Sequence, residues 1–288
     1  MKTAIVIPAY NGLNYLKANL PSVLAVRAGE TIVVDDASND GTSDYIKSTY
    51  PRIHLITNAS NQRFPKSVNI GFRSTSADVV FLINQDVRPA PDLIKRTLPY
   101  FTAQPRLFAA SFNESKFGWA DVSFSRGLLS YTSHSASRAH TTFWASGGSS
   151  AFRKSHWDRL GGFDPVFSPG YYEDLDIGWR ARKHGYQILW LPEARVDHER
   201  ETSFPLTFSA TYLNRVKDRN YLLCQWKNLD AANLWPHFLA ITLRCLQHPG
   251  YLVPVLMANA CLPHIIFYRL RNSRGLMSDS RVFAYAQN

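Results

Sequence analysis

The sequence predicts an α/β fold, with a mostly parallel, Rossmann-like sheet flanked by helices. Three observations predict it. Short apolar runs alternate with segments of helical spacing over the first hundred residues. Two of those runs end in acids, at Asp35-Asp36 and at Asp86. With 45% hydrophobic residues in 288, the chain has enough material to cover a sheet on both faces. In open sheets of this kind ligands bind outside the carboxyl ends of the strands, where those acids fall.

Ala4 to Pro8 reads as a buried strand, and Ala9-Tyr10-Asn11-Gly12 as a turn. Leu13 to Val26 has helical spacing, with Pro21 implying a break or kink. Glu30 to Asp36 is the second strand, Ser43 to Tyr50 a helix, and Ile53 to Ile56 the third strand. Pro65 to Ser74 is helical, Asp78 to Ile83 is the fourth strand, and Pro91 to Phe101 is a helix. From Ala103 to Thr142 the pattern loosens into expected strands and mobile loops. Trp144 to Phe152 reads as a strand broken by glycines, Ser155 to Leu160 as a short helix and Gly161-Gly162-Phe163-Asp164 as a turn. Glu173 to His184, stopped by Gly185, is a helix, and Gln187 to Leu191 a strand.

Several classes are excluded early. Sixteen Pro and 15 Gly without period exclude a collagen-like chain. Three cysteines without metal-ligand spacing exclude a disulfide scaffold and suit a reducing, cytoplasmic setting. The apolar run starts right after Met1-Lys2-Thr3, so no signal peptide is expected. No G-x-G-x-x-G follows the first strand, which counts against a dinucleotide-binding oxidoreductase. The net charge of +10 suits an anionic partner, but no nucleic-acid module is recognisable, so none is expected.

After Ser203 the acids thin to Asp218, Asp230 and Asp279 against nine Lys and Arg, and Arg244 to Arg269 holds no charged residue between its ends. Pro249, Pro254 and Pro263 argue against one spanning helix there. Amphipathic helices on a membrane surface fit the pattern, as do a helical layer packed on the sheet or an interface between copies of the chain.

Asp35 and Asp36 could accept from a nucleobase or ribose, or simply cap the turn that follows. Asn84-Gln85-Asp86 could hold a hard divalent cation on two phosphates, or form a turn. Glu173, Asp174 and Asp176 stand at a helix start, where capping competes with general-base chemistry. Their spacing puts Glu173 and Asp176 on one face and Asp174 elsewhere. His198 follows the last strand and reads as a loop residue.

Taken in order, these segments resemble inverting family-2 glycosyltransferases of the GT-A fold. Ile5 to Asn11 is similar to the opening strand and loop, and Ile32 to Thr42 to the second-strand motif. Asn61 to Gly71 resembles the segment entering the helix beside the nucleotide. Asn84-Gln85-Asp86 stands where the family has its Asp-x-Asp metal motif, with Asn replacing the first Asp. Ser146-Gly147-Gly148, Gly161 to Asp164, Tyr172 to Asp176 with Trp179-Arg180, and Leu191 to His198 look like the later motifs. The resemblance covers about residues 3 to 204, so a transferase domain is expected over 1–204 and a basic helical region over 205–288. The tail is similar to bacterial rhamnosyltransferase-like members that build surface polysaccharide at the inner face of the cytoplasmic membrane.

The resemblance implies direct displacement by an acceptor hydroxyl on a nucleotide-diphosphate sugar. It implies donor contacts from Pro8, Tyr10, Asn11, Asp35, Asp36, Lys66, Asn69, Asn84, Gln85 and Asp86. It implies Mg²⁺ or Mn²⁺ on Asp86 and His198, and Asp174, backed by Glu173, as base. Gly147 and Gly148 would admit the sugar, with Trp144 or Tyr172 stacking on it. The acceptor would be a glycan or lipid-linked glycan.

Overall fold

The computed structural model describes residues 1–114, 118–198, 208–272 and 276–284. The first half alternates as expected: β1 (Thr3–Ala9), α1 (Leu13–Ala25), β2 (Glu30–Asp35), α2 (Thr42–Thr49), β3 (His54–Thr57), α3 (Phe64–Arg73), β4 (Val79–Ile83), a short β5 (Val87–Pro89) and α4 (Leu93–Ala103). There follow β6 (Leu107–Asn113), β7 (Trp119–Ser125), β8 (Leu128–His134), β9 (His140–Thr141), β10 (Ser149–Arg153), α5 (Lys154–Leu160), α6 (Glu173–Lys183) and β11 (Gln187–His198). The last described part is helical: α7 (Ala210–Asn228), α8 (Ala231–Gln247), α9 (Leu252–Asn259), α10 (Leu262–Asn272) and α11 (Asp279–Ala284).

The main sheet runs β3-β2-β1-β4-β10-β6-β11-β5, with β9 on β11. The β1, β2, β3 and β4 pairings are parallel, as is β6 with β11, while β10 runs antiparallel between β4 and β6. β7 and β8 form a separate hairpin. The strands are near-continuous Val, Ile and Phe runs because both sheet faces are covered. One face buries Ile5, Ile7, Val33 and Phe81 under α1 and α4, and the other buries Val6 and Val34 under Val68 and Phe72 of α3. Gly71 lets α3 sit directly on β1, since a Cβ there would lie 2.4 Å from Val6 Cγ1. A third cluster joins Phe143, Leu175 and Trp179 to Leu222, Leu223 and Trp226 of α7, so the C-terminal helices share a core with α6. The boundary expected near residue 204 lies outside the described residues.

Four local expectations need correction. α1 runs on through the exposed Pro21 without the break allowed for there. The strand expected from Trp144 begins only at Ser149, because Trp144 to Gly148 form a loop at the strand ends. β11 does not stop at Leu191: it passes Pro192 with a register shift and carries His198 on its end rather than in a loop. Asp176 does not share a surface with Glu173. It turns inward to Asn228, while Glu173 and Asp174 both line a cleft.

Candidate active site

A cleft of about 770 Å³ opens along the carboxyl ends of β1, β2 and β4, where the parallel topology leaves a crevice. Pro8 and Tyr10 come from β1, Asp36 from β2, and Asn84, Gln85 and Asp86 from β4. Trp144, Gly147, Gly148, Tyr172, Glu173, Asp174 and His198 close the far side. Four expected donor contacts are absent from its lining. Asp35 accepts from Ser38 N at 3.0 Å and from Ser43 Oγ, and Asn11 accepts from Asn39 N at 2.9 Å, so both shape turns. Lys66 is exposed on α3. Asn69 is buried and holds the Phe163 backbone, donating to its carbonyl at 2.7 Å and accepting from its N–H at 3.0 Å.

Asp36 lines the cleft, yet its carboxylate also holds the loop after β3. It accepts from Asn58 Nδ2 at 2.8 Å, Gln62 N at 2.7 Å and Arg63 N at 2.9 Å. That fixes Arg63, with φ 71 and ψ 163, in a region that only glycine enters freely. Its guanidinium lies 5.2 Å from the Phe208 ring centroid, and both residues line the cleft.

In the centre, the Tyr10 backbone N–H donates to Gln85 Oε1 at 3.1 Å, and Asn19 Nδ2 donates to the Gln85 carbonyl at 3.1 Å. His198 Nε2 lies 3.4 Å from Asp86 Oδ1, and its Nδ1 lies 3.1 Å from Glu114 Oε2. Burial pushes the imidazole pKa down, but Asp86 and Glu114 outweigh it and lift it to about 9. Glu114 was not foreseen. It follows buried β6 as Asp36 and Asp86 follow β2 and β4, and that shared position was the available signal. It also accepts from Ser146 Oγ at 3.1 Å and from Ser149 Oγ. Arg63, Tyr131, Tyr171, Phe208 and Lys217 are further unforeseen lining residues.

Among the described residues, no three His, Cys, Asp or Glu side chains gather into a closed metal cluster. Asp86 and His198 nonetheless face each other, and the neighbouring Asn84 Oδ1 is buried without a hydrogen-bond partner among the described residues. One carboxylate, one imidazole and an amide oxygen fit a divalent cation that completes its shell with substrate phosphate.

At the far end, Asp174 Oδ2 accepts from Gly147 N at 3.1 Å and Oδ1 from Leu175 N at 2.8 Å. Burial raises the Asp174 pKa, and the two amides oppose that rise. Burial and the adjacent Asp174 charge push the Glu173 carboxyl well above the usual range, and its Oε2 has no partner among the described residues. Neighbouring buried acids of this kind titrate as a pair, each disfavouring the charge of the other. A Cβ on Gly148 would lie 2.2 Å from Asn84 Nδ2 and would force that side chain to move, and one on Gly147 would lie 3.3 Å from Asp174 Cβ. Trp144 and Tyr172 line the cleft, and each makes an aromatic edge contact, Trp144 with Tyr131 and Tyr172 with Tyr221.

The model of glycosyl transferase family 2 matches residues 4–161. A dolichol-phosphate mannosyltransferase of Pyrococcus furiosus is 29% identical over 104 residues, covering 34% of this chain and 29% of its own length. The chain thus spans under a third of that relative. An N-acetylglucosaminyl-diphospho-decaprenol L-rhamnosyltransferase of Mycobacterium tuberculosis is 26% identical, covering 63% of this chain and 70% of itself. The solved structure of a Pyrobaculum calidifontis mannosyltransferase with GDP-Man and Mn²⁺ superposes with a TM-score of 0.57 at 16% identity, over 98% of this chain and 85% of that one. With the match extending over more than half of its length, the chain belongs to glycosyl transferase family 2 and has the GT-A fold.

Proposed function

We propose that the protein transfers a hexosyl group from a nucleotide-diphosphate sugar to a hydroxyl of a glycan or lipid-linked glycan, with inversion at the anomeric carbon. The observation that carries this reading is the order of groups along one cleft. Asp36 and Arg63 stand at the β2 end, Asp86 and His198 in the middle, and the Glu173–Asp174 pair at the far end. A nucleotide-diphosphate sugar has the same order: base, diphosphate, sugar.

In this reading the nucleoside lies against Pro8, Tyr10 and Asp36. Asn84 and Gln85 line the floor, and Asp86 and His198 are the groups that would hold Mg²⁺ or Mn²⁺ beside the diphosphate. Such a cation stabilises the negative charge of a leaving diphosphate. Gly147 and Gly148 let the sugar approach the backbone, and Trp144 or Tyr172 offers a ring face. Asp174 takes the proton of the acceptor hydroxyl as its oxygen bonds to the anomeric carbon. The bond from that carbon to the diphosphate breaks, and its electron pair leaves with the nucleoside diphosphate. Attack from the face opposite the leaving group inverts the centre.

The names of the relatives support a polyprenol-linked acceptor, and the same reading takes in cell-surface polysaccharide synthesis at the inner face of the cytoplasmic membrane. The test is calorimetry with UDP-, GDP- and dTDP-sugars, including dTDP-rhamnose, each with and without Mn²⁺ or Mg²⁺. One donor class should bind, and bind better with metal. Absence of binding by every donor with metal present would reject the reading.

A further inference from the structure

The C-terminal helices expose an apolar layer that none of the described residues covers. On α8, Trp235, Leu239, Leu243 and Leu246 recur at helical spacing, and Trp235 and Leu246 are 77% and 74% exposed. Leu252 and Leu256 of α9 and Ile266, Phe267 and Leu270 of α10 are also exposed. The inner sides of the same helices are occupied. His237 Nδ1 sits 2.8 Å from the Gly127 carbonyl, and Phe238 meets the Trp226 ring of α7. Arg269 donates to the carbonyls of Trp226 and Leu229 at 2.8 Å. Pro254, Ala258 and Ile265 are buried. Each helix is therefore held by one side and bare on the other. Bare apolar side chains in such number, set along one side of each helix, mark an interaction site rather than ordinary surface scatter.

We propose that this layer docks on an anionic lipid surface, with the helices lying in the headgroup region. The reading rests on the proposed transferase activity only in that a lipid-linked acceptor would be presented there. Charge selects the occupant. No Asp, Glu, Lys or Arg lies between Arg244 and Arg269, and Arg271 is exposed with its guanidinium 4.5 Å from the exposed Phe267 ring. Arg215 and Arg281 of the described C-terminal helices are exposed as well, while the acids Asp230 and Asp279 are paired with Lys183. A second copy docked through this layer by a two-fold axis would bring the exposed arginines of the two copies together. Anionic headgroups complement it, and an exposed Trp suits the polar–apolar boundary. Lying on the surface also suits the geometry. No single described helix is long and apolar enough to cross a bilayer, and Pro249–Asn259 and Leu262–Asn272 are bent by 58°. The layer is built on α7, whose Lys217 lines the cleft, so docking would hold the cleft near the membrane plane.

The test is flotation of the full chain with phosphatidylcholine vesicles, with and without about a third phosphatidylglycerol, using the wild type and the double variant L246E/L270E. Both leucines are largely solvated, so the variant should keep the wild-type circular dichroism, melting temperature and nucleoside-diphosphate binding. The wild type should bind the anionic vesicles, more weakly in high salt, and the variant should lose about tenfold or more of that binding. Three results would overturn the proposal: no vesicle binding by the wild type, equal binding by the variant, or a wild-type dimer in sedimentation that the two substitutions dissociate. Loss of donor binding in the wild type would instead count against the transferase reading alone.

Discussion

The Lys227 ammonium donates to Asp176 Oδ2 at 3.0 Å, one turn along α6 from the Glu173–Asp174 pair. It also reaches Asp164 Oδ2 at 2.6 Å, and its side chain is fully buried. Arg180 Nε and Asn228 Nδ2 complete the ring around Asp176, both at 2.8 Å. The last turn of α7 thus ties the Gly-Gly-Phe-Asp turn to the helix that carries the proposed base.

Lys227→Met should therefore cost about 3–5 kcal/mol, because it leaves two buried carboxylates short of their cation. Urea unfolding measures this. Burial pushes the Asp164 pKa up, but the Lys227 charge wins and holds it far below the usual range. Its contribution to stability is present above about pH 4 and fades as the pH falls. In Lys227→Met that acid-side loss should shrink.

Arg63→Gly should raise stability by about 1–2 kcal/mol, since it releases an arginine from a conformation suited to glycine. The same change should weaken donor binding, because the guanidinium leaves the base end of the cleft. Thermal melting and calorimetry on one variant would read the opposite signs. Lower stability would mean that the loop needs the side chain for packing.

Gly148→Ala should displace Asn84 and lower donor affinity by tenfold or more, with a stability loss of about 1–3 kcal/mol from overpacking. Titration with the donor identified by the screen measures the first effect, and urea unfolding the second.

Glu173→Gln should make the protein more stable at neutral and alkaline pH. Burial and Asp174 raise the Glu173 pKa, so the native state keeps a proton that the unfolded chain releases. Its stabilising contribution is complete below about pH 4.3 and is lost as the pH climbs through the raised value. Unfolding free energies from pH 4 to pH 9 should fall less steeply in the variant.

The parallel half of the fold was legible because strands buried on both faces announce themselves as unbroken Val and Ile runs. The order of the acids at their ends located the cleft. What the sequence concealed depends on backbone conformation and on distant partners. Helical spacing grouped Asp176 with Glu173, but Lys227 and Asn228, some fifty residues on, hold the Asp176 carboxylate away from the cleft. Asn69 looked like a ligand group, and the Phe163 backbone, distant in sequence, claims both ends of its amide. Lys66 lies in the matched segment but is exposed, while Arg63, three residues earlier, lines the cleft.

The most direct test of the central claim is Asp174→Asn, assayed for donor binding and for transfer. Burial and two backbone amides hold the Asp174 carboxylate in place, and an amide of the same shape cannot take a proton. Donor affinity should stay within a few-fold of wild type, while turnover falls by about 10²–10⁴. Turnover at the wild-type rate in a variant that still binds donor would contradict the assignment of Asp174 as the base.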